Sequence, residues 1–239
     1  MRKPEEKDRK RDREKRMDIR LDAEYEVVVR EIDIALVDNP GRQIVIAIDG
    51  RCGSGKTTLG LLLQEIYGCN LFHMDDFFLR PEQRTEERLQ EIGGNVDYER
   101  FQSDVLAHLG DMEGLEYQRY DCGRQRLAET ISVPHARLNI VEGAYSQHPH
   151  FGDIYDRRFF LDIGEEEQIS RILRRNGEFM LNRFQNEWIP MENRYFDKDR
   201  IKEQSICINA SLQHGGACFI PWKNLPERPP LTQEPHPAQ

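Results

Sequence analysis

The 239-residue chain contains no apolar run near the roughly 18 residues that a membrane-spanning helix needs. Its start, Met1-Arg-Lys-Pro-Glu-Glu-Lys7, lacks the apolar stretch of a secretory signal. Cysteine is scarce: Cys52, Cys69, Cys122, Cys207 and Cys218 are scattered, and no C-x-x-C pair occurs. That spacing excludes a zinc ribbon or a disulfide framework and fits reduced thiols in the cytoplasm. A basic excess is missing too. The 34 Lys and Arg residues face 43 Asp and Glu, a net charge of −9, which disfavours nucleic acid as a partner. There is no internal repeat. The expected partner is therefore a small-molecule substrate, with no membrane and no nucleic acid, and a homo-oligomer remains open.

What is present points to one globular domain with appendages. Hydrophobic residues make up 38% and charged residues 32%, a polar composition with enough length for a sizeable core. Residues 2–16 hold fourteen charged side chains, nine basic and five acidic, so residues 1–17 read as a frayed, solvated extension. The tail 225–239 holds five of the twelve prolines and reads as disordered. Between them, 18–224 forms the domain. It opens with an amphipathic helix over 18–37, with Val27, Val28, Ile32, Ile34 and Leu36 among its apolar positions.

The most informative stretch is Gly50-Arg-Cys-Gly-Ser-Gly55-Lys56-Thr57-Thr58. It follows the apolar run Ile44–Ile48 and precedes a helical pattern through Leu59, Leu62, Leu63 and Ile66. Gly50, Gly53 and Gly55 allow main-chain conformations that a side chain forbids, so amide N–H groups can converge on a phosphate at a helix N-terminus. Arg51, Cys52, Ser54 and Thr58 complete the loop. Lys56 brings a point charge to the β- and γ-phosphates of ATP, and the Thr57 hydroxyl can ligate Mg²⁺.

Strands and helices alternate after the loop. Asn70–Met74 reads as a strand, Pro81–Gln90 and Tyr98–Leu109 as helices, and Leu115–Val133 as a β-hairpin split at Asp121-Cys122-Gly123. Leu138–Glu142, Arg158–Asp162 and Ser205–Ile208 read as further strands, with a helix over Glu165–Phe184. The fold class is α/β: a three-layer P-loop NTPase with a mainly parallel five-stranded sheet, an acceptor-side hairpin and a helical lid.

Two acidic sites and one basic cluster surround the loop on that layout. Asp75 and Asp76 follow the second strand, and Glu142 ends the third. A kinase needs a carboxylate to accept the proton of the attacking hydroxyl and another to organise the metal. Arg171, Arg174 and Arg175 lie at i, i+3 and i+4 on one helix, a lid-like arrangement of cations for a transferring phosphoryl group. A tryptophan-bearing segment, Glu187–Glu192, reads as a loop.

These residues together resemble the uridine kinase group of P-loop kinases, which includes phosphoribulokinase and bacterial pantothenate kinase, over Ile44 to Ala210. Met74-Asp75-Asp76-Phe77-Phe78 is similar to that family's base-bearing strand end. The resemblance implies Asp75 as the base, with Asp76 beside the acceptor. Val141-Glu142-Gly143 is similar to its metal-organising strand, so Thr57, Asp75 and Glu142 are the implied metal-side residues. Asn95-Val96-Asp97-Tyr98 resembles a stretch whose Asp holds acceptor hydroxyls, and Tyr120-Asp121 a hairpin pair in the acceptor pocket. Asp97, Tyr98, Tyr120 and Arg124 are carried as acceptor-binding candidates, and Lys56, Arg171, Arg174 and Arg175 as catalytic cations. The chain departs from the family after Tyr120-Asp121: the base-reading His is replaced by Cys122-Gly-Arg124-Gln-Arg126. Those arginines suit an acceptor bearing a carboxylate or phosphate as well as they suit a nucleoside.

The expected function is phosphoryl transfer from ATP to a hydroxyl of a nucleoside or related metabolite. The alternatives are a regulatory nucleotide switch or a non-catalytic scaffold. Asp111-Met-Glu-Gly114 mimics a GTPase motif, but no N-K-x-D guanine motif accompanies it.

Overall fold

The structure, a computed structural model, describes residues 23–211. The charged extension, the first residues of the opening helix, Cys218 and the Pro-rich tail lie outside the described residues. Helix α1 (Ala23–Asp38) packs Tyr25, Val28, Ile32, Ala35 and Leu36 inward, a spacing of three and four that lays one face on the sheet.

Five strands form one sheet in the order β2 (Asn70–His73), β5 (Leu138–Glu142), β1 (Ile44–Gly50), β6 (Arg157–Asp162), β7 (Ile206–Asn209). Every pairing is parallel. Side chains alternate across the strands, and the two faces are distinct. Ile44, Ile46, Ile48, Ile140 and Leu161 pack with α1 and with Leu59 and Leu63 of α2 (Lys56–Tyr67). Ala47, Phe72, Val141 and Phe160 pack the other face with Phe77, Phe101, Tyr145 and Tyr195. A sheet covered on both faces explains the continuous apolar runs that mark its strands.

The register sets the site. Ile48 lies opposite Glu142, and Glu142 opposite His73, so β1, β5 and β2 end together on the carboxyl edge. The chain order reverses at β1, where α/β sheets open their crevice. The excursion between β2 and β5 carries the antiparallel hairpin β3 (Leu115–Asp121) and β4 (Arg126–Val133), with a bulge between Gln118 and Tyr120.

The helices depart from expectation in four places. Pro81–Gln90 is not one helix: a 3₁₀ turn at Pro81–Gln83 precedes a short α3 (Glu86–Gln90), whose Thr85 cap accepts the Arg88 N–H at 3.2 Å. The helix expected to reach Leu109 ends as α4 (Tyr98–Asp104), with a 3₁₀ turn after it. The lid helix α5 (Glu165–Arg183) is kinked at Gly177, whose φ of 77° breaks the ladder. Residues Phe184–Trp188 continue as a π-helical turn into α6 (Ile189–Lys198). Glu187–Glu192 is thus helical and not a loop: Pro190 sits in the first turn of α6, directly after the π-helical turn in which the Ile189 N–H reaches back to the Phe184 carbonyl.

Candidate active site

The phosphate loop runs from the end of β1 to the start of α2. Gly50 has φ 135°, and a Cβ there would stand 2.3 Å from the Leu161 carbonyl oxygen of the adjoining strand. Only glycine lets the main chain pass so close. Gly55 caps α2 in the left-handed region, aiming the first N–H groups of the helix outward. Lys56 Nζ folds over the loop and donates to the carbonyls of Gly50 (2.7 Å) and Arg51 (3.0 Å). The Ser54 hydroxyl is buried with no partner among the described residues. Residues Cys52–Thr58 line a cleft of about 1540 Å³.

Across this cleft stand the edge carboxylates. Glu142 is buried at 3% exposure, takes the Thr57 hydroxyl at 3.0 Å, and has His73 Nδ1 at 2.5 Å. The hydrogen bond to Glu142 is the main reason His73 holds its proton more tightly than an ordinary histidine. Asp75 opens into the cleft: water reaches it, yet protein encloses it on most sides. That enclosure, and secondly the Glu142 charge, raise its proton affinity above the usual carboxylate range, while Lys56 pulls it back. Among the described residues no group of three or more His, Cys, Asp or Glu side chains is arranged to hold a metal. Mg²⁺ between phosphates and water asks for only one or two protein ligands, which Thr57 and Glu142 would provide.

Helix α6 forms the far side of the loop, and its role was not legible in the sequence. Glu192 accepts the Cys52 N–H at 2.9 Å, Asn193 Oδ1 accepts Arg51 Nη1 at 3.0 Å, and the Tyr195 hydroxyl donates to Asp49 at 2.8 Å. Asp49 is fully buried and also accepts the N–H groups of Gly50 (2.7 Å) and Gln147 (3.1 Å). Burial pushes the carboxyls of Asp49 and Glu192 upward; Tyr195 works against this at Asp49, and Lys56 at Glu192. Burial, and then the Glu192 charge, push the Cys52 thiol up to about 12, so it is not a nucleophile.

The comparisons with known proteins agree with this layout. No family model matches the sequence. A uridine kinase of Chlamydia pneumoniae is 24% identical over 187 residues, covering 71% of this chain and 83% of that protein. A possible uridine kinase from Bacillus stearothermophilus superposes with a TM-score of 0.56 at 18% identity, over 77% of this chain and 99% of that one. A candidate fructose transport system kinase from Silicibacter sp. TM1040 gives 0.56 at 19% identity, over 77% and 96%. The chain has the uridine kinase-like P-loop fold.

Helix α5 and the hairpin side complete the lining of the cleft. Arg171, Arg174 and Arg175 all line the cleft, but differently. Arg171 is engaged by Glu167 (3.0 Å) and the Ala210 carbonyl (2.8 Å). Arg174 and Arg175 are exposed; Arg175 meets only Asn176 at 2.7 Å, and Arg174 has no side-chain hydrogen bond or ion pair among the described residues. Trp188 also lines the cleft, under the Arg183 guanidinium at 5.0 Å.

Of the acceptor candidates, Tyr120 lines the cleft and four others do not. Asp76 turns into the hairpin, where the Tyr117 hydroxyl donates to it at 3.0 Å. Asp97 is buried as the cap of α4, accepting the Arg100 N–H (3.1 Å) and Gln83 Nε2 (2.9 Å). Tyr98 donates to Glu91 at 2.7 Å and stacks on His148 at 4.5 Å. Arg124 lies exposed at the hairpin tip beside Asp121. Arg51, likewise, reaches Asp162 (3.1 Å) and Asn193 away from the cleft. In their place the wall presents Phe78, Arg84, Asn95 and Gln125. Arg84 and Gln125 carried no motif signal; Asn95 stood in the Asn-Val-Asp stretch, two residues from the one singled out.

Proposed function

We propose that the chain is a small-molecule kinase that moves the γ-phosphate of ATP onto a hydroxyl of a nucleoside or related metabolite in the cytoplasm. One observation carries it: the Asp75 carboxyl, with raised proton affinity, opens into the cleft that the phosphate loop lines. A switch or scaffold has no use for such a group there.

The loop amides and Lys56 hold the donor phosphates, and the orphan Ser54 hydroxyl fits an anion within reach. Asp75 accepts the proton of the acceptor hydroxyl as it attacks. Arg174 and Arg175 bring positive charge over the transferring group and help exclude water. Mg²⁺, when bound, would neutralise phosphate charge; the buried Glu142 and the hydroxyl of the exposed Thr57 hydrogen-bonded to it fit such an ion. Alignment and charge stabilisation supply most of the acceleration, and the base about 10²–10⁴-fold.

The test is ATP consumption with and without hydroxylated acceptors. Acceptor-dependent turnover that Lys56→Ala abolishes is expected, with Asp75→Asn lowering kcat about 10²–10⁴-fold at unchanged ATP affinity. Slow hydrolysis indifferent to every acceptor would refute the kinase reading.

A further inference from the structure

The acceptor end of the cleft has a fixed cation where a carboxylate for sugar hydroxyls was expected. Asp97 is bonded at both carboxylate oxygens and Asp76 turns one of its oxygens into the hairpin, and neither residue lines the cleft. Arg84 stands on the wall next to Tyr120, and Asp75 lines the same cleft. Its guanidinium is held from one edge. Nε and Nη2 donate to the Leu79 carbonyl at 3.1 and 2.9 Å, and Nη2 also donates to the Tyr120 hydroxyl at 2.8 Å. Among the described residues Nη1 has no hydrogen-bond acceptor and Arg84 makes no ion pair.

Some arginines on this surface pair with acids: Arg88 with Glu99, Arg119 with Glu129 and Arg158 with Asp153. Among the described residues Arg137 is held only by carbonyls, but Arg84 is held by neutral oxygens while lining the cleft. In a chain of net charge −9, a guanidinium fixed by neutral oxygens and left without a counter-ion is a site for an external anion. The phosphate end of the cleft has its own cations in Lys56, Arg174 and Arg175, so Arg84 is not needed for the donor.

Resting on the kinase reading above, we propose that the acceptor carries an anionic group beside its reacting hydroxyl, a carboxylate or a phosphate, and that Arg84 recognises it. Pinning by Leu79 and Tyr120 preorganises the guanidinium, so the ligand need not order a free side chain on binding. The hydroxyl is then delivered toward Asp75 from a fixed end.

The test uses the full chain with Mg·ATP and three acceptor arms: neutral nucleosides and polyols, sugar phosphates with nucleoside monophosphates, and hydroxy acids. Turnover is expected in one of the two anionic arms, which also tells phosphate from carboxylate. Arg84→Gln should raise that acceptor's KM about 10- to 100-fold with the KM for ATP unchanged, the loss of a charge-assisted contact. Arg84→Lys, which keeps the charge and loses the fork, should recover part of it. An unchanged KM for ATP in both variants separates this from a collapsed wall. Efficient turnover of a neutral acceptor that Arg84→Gln leaves unaltered overturns the proposal, as does an anionic acceptor whose KM does not move. If no arm supports turnover while an ATP analogue still binds, the kinase reading fails, and this inference with it.

Discussion

Replacing Tyr195 by Phe removes one oxygen from the packed interior and tests how α6 holds the phosphate loop. Tyr195 is fully buried, and its hydroxyl donates to a carboxylate, Asp49, that is itself fully buried and immediately precedes Gly50. Without it Asp49 keeps only the N–H groups of Gly50 and Gln147. A hydrogen bond to a charged group contributes about 1.5–3 kcal/mol, and a domain of this size shifts by about 2–4 °C per kcal/mol. Tm should therefore fall by roughly 3–12 °C near neutral pH. The loss should depend on pH with a definite sign. Burial raises the folded-state proton affinity of Asp49, and Tyr195 opposes that rise, so the variant raises it further. An acid with a raised folded value loses stability as pH climbs from its unfolded value, about 4, through the folded one, and the variant does so over a wider window. Below about pH 4 both forms are protonated and only a neutral hydrogen bond is missing, near 1 kcal/mol. Urea unfolding of both proteins across that range measures this. A difference under about 0.5 kcal/mol, or one that does not grow with pH, would refute the charged-pair account of the grip.

Three further outcomes follow from the same geometry. Because the base must be ionised to act and Asp75 holds its proton too tightly, the acid limb of kcat/KM should lie above the usual carboxylate range near 4; a limb at or below 4 would count against Asp75. Asp76→Asn should lower Tm more than it lowers kcat, since its contact is with Tyr117 inside the hairpin; a kcat loss as large as that of Asp75→Asn would reverse their roles. Gly50→Ala, pressing a methyl against the Leu161 carbonyl, should abolish binding of an ATP analogue in calorimetry, and near-normal affinity would mean that the loop can move away.

The architecture was legible because its markers are local. Ile44–Ile48 with the glycines after it specifies a buried parallel strand and a phosphate loop whatever else the chain does. Helix α6 was missed because Pro190 looks like punctuation until its place in a first turn is known. The acceptor wall was misjudged for a different reason. Whether Asp97 faces a ligand or caps its own helix depends on Gln83 and Arg100, and whether Asp76 is free depends on Tyr117, forty-one positions away. Short motifs carry no record of such partners. Arg84 shows the reverse: Glu82, Glu86 and Glu87 surround it in sequence, yet it makes no ion pair among the described residues, a fact that exists only in three dimensions.

Strands β2 and β5 are neighbours in the sheet, yet residues 74–137 run between them. Phe78, Arg84, Asn95, Tyr120 and Gln125, the proposed acceptor wall, all hang from that single excursion, while the phosphate loop and the helices facing it belong to β1, α2, α5 and α6. On the kinase reading, selectivity is therefore modular. Transplanting the part of the excursion beyond Asp75 and Asp76 from another protein of this architecture then exchanges the acceptor pocket while the phosphate loop and the proposed base stay in place.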